Sequence, residues 1–264
     1  MIALVLRSLG RVRILSASLA LVLIGLQLSI IAAAAAFVES GSFASLANVV
    51  PAFVMQAMGP ALTSFRGMVL FAYVDPLIVI LLVQFAIYLA TEPAGDVESC
   101  LVDLILARPL PRHWLVSRSM LVMMIGTLVV SGAMLATTWA GLWWMAPPDV
   151  PWPDARTVFT LSAHMTLIAW CFGCAALAAS GWSRRRGAVV AAIGVVAIAS
   201  YLVEFLEPLW APARDLARFS PFHYFRAGGI IAGTAPESQH LAVLGTLTLA
   251  GIAIAYWKFA RRDL

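Results

Sequence analysis

Few side chains in this sequence could do chemistry by themselves, and most lie in apolar surroundings. Cys171-Phe172-Gly173-Cys174 has the spacing of a thiol redox pair or half of a zinc site. No second pair accompanies it, and with Cys100 the chain has only three cysteines. Packing against a neighbouring helix is the expected role of both thiols, and no disulfide framework follows. His113, His164, His223 and His240 are scattered over separate segments, and no metal site is expected from their spacing. Ser180 and Ser183 flank a run of arginines, with no Gly-x-Ser-x-Gly elbow and no paired aspartates. No catalytic residue is assigned. The single lysine, Lys258, follows no glycine, so the Gly-Lys-Ser/Thr of a phosphate-cradling loop is missing. The chain cannot hydrolyse ATP by that route. If ATP drives it, another polypeptide binds the nucleotide.

The elements that hold these residues are set by composition. Hydrophobic residues make up 62% of 264 and charged residues 11%, against roughly 45–50% and 25% in soluble domains. Mean hydropathy is +0.94. A soluble enzyme, a disordered tail and a disulfide-rich scaffold are excluded together. The expected class is an all-α polytopic membrane protein, one transmembrane domain over residues 1–264. Apolar runs near Ile14–Ala36, Gly67–Leu89, Ser119–Met145, Val158–Gly181, Gly187–Phe205 and Leu241–Trp257 predict six spans. Asp75 in the second run would cost about 2.5–3.5 kcal/mol at a helix centre, and the surrounding Leu, Ile, Val and Phe return roughly 4–8 kcal/mol. Insertion therefore wins.

Twelve of the 17 basic residues fall on one side of such a six-span chain. They are Arg7, Arg11, Arg13, Arg108, Arg112, Arg118, Arg184, Arg185, Arg186, Lys258, Arg261 and Arg262, and the positive-inside rule makes that side cytoplasmic, with both termini. Residues 1–13 read as a short interfacial helix leading into the first span. The rival is a cleaved signal peptide ending near Ala32–Ala36, whose core would be shorter than the run from Ile14. On the outer side, Phe37–Arg66 suits a surface helix. Within residues 206–240, Ser220-Pro221 opens a helix over Phe222–Ile231, about 15 Å long, half of a bilayer. That predicts a re-entrant or interfacial segment. Small residues in Ala188–Ala199 would permit close helix contact.

The cytoplasmic loop 92–117 reads as a short helix capped by Asp96, with Glu98 favourable against its dipole and Pro109 ending it. Leu101, Leu104, Ile105 and Ala107 form an apolar stripe that asks for a partner groove. Arg108 and Arg112 could also meet lipid phosphates. Asp75 has two readings: a polar group facing a pathway or partner, or a hydrated cap on a proline-kinked turn near the outer interface, which is favoured. Glu204 and Glu207 at the outer end of the fifth span are expected to be hydrated.

The stretch Glu98–Arg112 resembles the cytoplasmic signature of ABC-2-type transporter permeases, matched by Glu98, Asp103, Leu104, Leu106, Ala107, Arg108, Pro109 and Arg112. Cys100 and Leu101 replace the usual Gly-Thr. Asp75-Pro76-Leu77, Phe219-Ser220-Pro221-Phe222-His223-Tyr224 and Phe259-Ala260-Arg261-Arg262-Asp263-Leu264 resemble further family segments in the same order. The resemblance implies a permease subunit of an ATP-driven exporter in the inner (cytoplasmic) membrane. It pairs with a second copy of itself, or a related chain, and with separate ABC ATP-binding subunits that hold ATP and Mg. Glu98, Leu101, Asp103, Leu104, Ile105, Arg108 and Arg112 would form the coupling helix. Asp75, Glu204, Ser220 and Phe222 would belong to the pathway or its outer gate. The alternative class is an ion- or proton-coupled secondary transporter, which usually has repeated halves and midplane charges; neither is evident here.

Overall fold

A computed structural model describes residues 2–41, 43, 63–99, 113–183, 185–207, 210–231 and 238–261. Among these the chain is helical, without strands: α1 Ile2–Glu39, α2 Phe65–Phe71, α3 Pro76–Ala90, α4 Glu92–Glu98, α5 His113–Met145, α6 Ala155–Ala179, α7 Arg186–Leu206, α8 Ala211–Ala217, a 3₁₀ turn Pro221–Tyr224, α9 Ala227–Ile231 and α10 Ser238–Ala260. Six stretches are long and apolar enough to cross a membrane: Leu4–Glu39, Phe65–Ala90, His113–Met145, Ala155–Ala179, Arg186–Leu206 and Gln239–Ala260. The chain is thus an all-helical, multi-pass membrane protein.

α6 is the centre of the bundle, with 78% of its apolar stretch buried against 17% in α7. Val158, Leu161, Met165, Ile168 and Phe172 of α6 belong to one continuous core with α3, α5 and α10. Where hydrocarbon surrounds the helices, apolar burial alone does not drive association, and small residues and interhelical hydrogen bonds specify it. Thr166 Oγ1 donates to Ser131 Oγ at 2.8 Å, and Trp170 Nε1 donates to Thr127 Oγ1 at 2.8 Å, joining α6 to α5. Gln84 Nε2 donates to the Gly194 carbonyl at 3.3 Å, joining α3 to α7. On α10, a Cβ at Gly251 would lie 2.9 Å from Cys174 Cβ and 3.0 Å from the Cys174 carbonyl carbon. Only glycine admits that approach. Cys171 and Cys174 are buried helix-contact residues, Cys171 Sγ donating to the Leu244 carbonyl at 3.1 Å.

Several expectations change. The interfacial segment 1–13 is not a separate element: residues 2–39 form one 38-residue helix, about 57 Å long at 1.5 Å per residue. Nothing between Met1 and Ile14 breaks it, Gly10 being the sole weak helix former there. The proline-kinked turn expected in the second span, by contrast, is present at Ala72–Asp75, where Pro76 cannot continue the hydrogen bonding of α2. α4 begins at Glu92, so Asp96 lies inside it and is not its cap. Phe222–Ile231 is not one helix but a 3₁₀ turn and a five-residue helix. The three-residue repeat of the 3₁₀ turn puts Phe222 and Phe225 on one face, and both are buried. Arg226, at φ 35°, then breaks the helix before Ala227. The stretch 100–112 lies outside the described residues, and with it Leu101, Asp103, Leu104, Ile105, Arg108 and Arg112. So do residues 44–62, the bulk of the expected surface helix.

Candidate functional site

Charged side chains gather at the two ends of the bundle. At the end that carries the starts of α1 and α5, Asp96 and Arg118 are 3% and 4% exposed and face each other as a hydrogen-bonded ion pair, Arg118 Nη2 on Asp96 Oδ2. Arg118 Nη2 also lies 3.6 Å from Glu92 Oε1, and Arg11 Nη1 lies 3.9 Å from Asp96 Oδ1. Ser8 Oγ donates to Glu92 Oε1 at 2.8 Å. Two carboxylates thus meet two guanidiniums, and the charge balance is what makes burial tolerable. Four residues separate Glu92 from Asp96, which puts both on one face of α4, toward α1 and α5.

Glu98, the one described member of the expected coupling set, points elsewhere. Its Oε2 accepts the Arg186 backbone N–H at 2.9 Å. Arg185 gives α7 no side-chain cap, so Glu98 caps that helix from a distance, with its charge set against the positive end of the helix dipole. The Arg186 side chain returns the contact. Its Nη2 donates to the Tyr88 carbonyl at 2.7 Å, its Nε donates to Thr91 Oγ1 at 3.3 Å, and its guanidinium lies 3.9 Å from the Tyr88 ring centroid. A seven-residue helix is therefore clamped to α1, α5 and α7 immediately before the loop 100–112.

The opposite end holds the other expected site residues. Asp75 is the N-cap of α3, Oδ1 accepting the Leu77 and Ile78 N–H groups at 2.9 and 3.3 Å. Its capping reading therefore describes the geometry. Ser220 Oγ donates to the Ser200 carbonyl of α7 at 3.1 Å and accepts the Phe222 N–H at 3.1 Å. Phe222 is edge-on to Tyr201, with ring centroids 5.3 Å apart, and tilted against Phe172 at 5.4 Å. Glu204, Ser220 and Phe222 are thus brought together, and Asp75, while capping α3, lies near Tyr201 beside them.

Around them lies a cavity of about 230 Å³ lined by Val74, Tyr201, Glu204, Glu207, Phe222 and Arg226, among others. Sequence spacing missed His223 here. Its Nδ1 lies 3.4 Å from Glu204 Oε2 and 3.5 Å from Glu207 Oε2. The histidine is 19 and 16 residues from the two glutamates, and only the return of the chain through Ser220 makes them neighbours. Compared with family models, curated proteins and solved structures, the chain gives no match.

Proposed function

We propose that this chain is the permease subunit of an ATP-driven ABC transporter of the ABC-2 type, an exporter that works as a dimer with separate ATP-binding subunits. The observation that carries this reading is the clamping of α4. Leading into the segment that resembles the coupling signature and including its first residue, Glu92, Asp96 and Glu98 tie one short helix to α1, α5 and α7. A push on the following loop is then delivered to these spans together, as a lever needs. The termini face the cytoplasm in this proposal. Arg7, Arg11, Arg13, Arg118, Arg185, Arg186, Lys258 and Arg261 fall at that end, in keeping with the positive-inside rule. ATP and Mg belong to the partner subunit, and this chain supplies pathway and linkage.

The test is co-purification of the full chain with ABC ATP-binding subunits encoded in the same genome, followed by ATP-dependent transport in proteoliposomes. Leu104→Asp is expected to abolish association while membrane insertion and monodispersity persist, and Glu98→Lys to weaken it. Association unchanged in both variants would overturn the coupling role. Transport driven by an ion gradient without ATP would favour a secondary carrier.

A further inference from the structure

The cluster at the end of α7 has a geometry that charge pairing alone does not account for. Glu204 and Glu207, three residues apart, lie on one face of the helix end. His223 approaches from the 3₁₀ turn, held in place by the Ser220–Ser200 hydrogen bond and by Phe222 packed between Tyr201 and Phe172. Although 3.4 Å apart, His223 Nδ1 and Glu204 Oε2 are both inaccessible to solvent and neither makes a hydrogen bond. A protonated imidazole settled between two carboxylates would donate its N–H to one of them. Here the donor atoms converge without doing so.

We propose that Glu204, Glu207 and His223 bind a divalent transition-metal cation, with Zn²⁺ the first choice. Bonds of about 2.0–2.1 Å to nitrogen and oxygen place tetrahedral ligands about 3.3–3.4 Å apart. The two separations from His223, 3.4 and 3.5 Å, match that edge. All three donor atoms lie within 4.8 Å of one another, so closure needs a shift of at most about 1.4 Å between the two flexible carboxylates. One imidazole with two carboxylates suits zinc, iron or nickel, whereas calcium takes six to eight oxygens. Three protein ligands leave a fourth position open, and the adjacent cavity gives it access. The ion would staple the end of α7 to the 3₁₀ turn, fixing the floor of that cavity. This inference does not depend on an ATP-binding partner.

The experiment uses the full-length chain, without a polyhistidine tag, purified in detergent and stripped with chelator. Zn²⁺ titration by calorimetry is expected to give one ion per chain and a rise in thermal midpoint, because the ion binds the folded state alone. Co²⁺ in its place should give visible d–d bands of a low-coordinate site. His223→Gln and Glu207→Gln should each weaken binding by at least about tenfold, the lower bound for disturbing a metal's surroundings, while His240→Gln binds as wild type. No Zn²⁺ binding by wild type, or undiminished binding in both variants, would overturn the proposal, as would equal stabilisation by Ca²⁺. If one variant fails to give a monodisperse protein, the other and the Co²⁺ spectrum decide.

Discussion

At the end of the bundle that carries the starts of α1 and α5, Asp96 and Arg118 are almost fully buried and each spends its charge on a partner. At the far end, the side chains of Glu204, Glu207 and His223 keep 28%, 27% and 16% exposure and converge without hydrogen bonds between them. Both clusters combine acidic and basic groups drawn from distant parts of the chain. The first is nearly balanced in charge and ties α4 to α1 and α5, although Glu92 Oε2 and Arg118 Nε make no hydrogen bond there. The second borders a cavity, and on the proposal above it receives an ion. Burial and access to a cavity, rather than the number of charges, separate a joint from a candidate site.

That contrast can be broken by substitution. The largest effect is expected from Arg118→Ala, which leaves buried Asp96 with only the more distant Arg11 and should cost about 3–5 kcal/mol of stability, read as a lowered unfolding midpoint in detergent. The double variant Asp96→Leu/Arg118→Met should recover part of that loss, since it removes the buried pair and refills the volume while leaving Glu92 and Arg11. A smaller effect, about 1 kcal/mol, is expected for Asp75→Ala, which removes the cap of α3. Glu98→Gln should cost about 0.3–1 kcal/mol, because the amide can still accept the Arg186 N–H but lacks charge against the helix dipole. The smallest effect belongs to the far end: without metal, His223→Gln should change stability by no more than about 0.5 kcal/mol. A large loss there, or a negligible one at Arg118, would reverse the assignment of joint and site.

The six spans were legible because a helix in lipid must be apolar over a fixed length, and that leaves a signal in every stretch of the chain. The break in the second span was legible too, since Asp75-Pro76 is a local instruction for a cap and a stop. The charge network was not. Ser8 meets Glu92 across 84 residues and Glu98 meets Arg186 across 88, and no local pattern records such a pairing. Asp96 misled for a related reason: its capping propensity is local, and the tertiary ion pair with Arg118 overrode it. The Ser-Pro-Phe segment announced its start correctly, but burial of Phe222 and Phe225 on one face selected the tighter helix. His223 entered the far cluster only through that fold-back. A search for metal ligands confined to histidines and cysteines close in sequence passes over a cluster whose carboxylates are supplied by another helix.

The bare contact of Gly251 with Cys174 bears on how such a bundle can move. Sliding α10 past α6 by one turn would bring Leu247 or Ala255 opposite Cys174, where the backbones leave no room for even a methyl group. The two helices are therefore keyed in register and travel as one piece. Any rocking of the bundle must open along another seam, and α7, the least enclosed of the six spans, is tied to α3 at mid-length through Gln84 and Gly194.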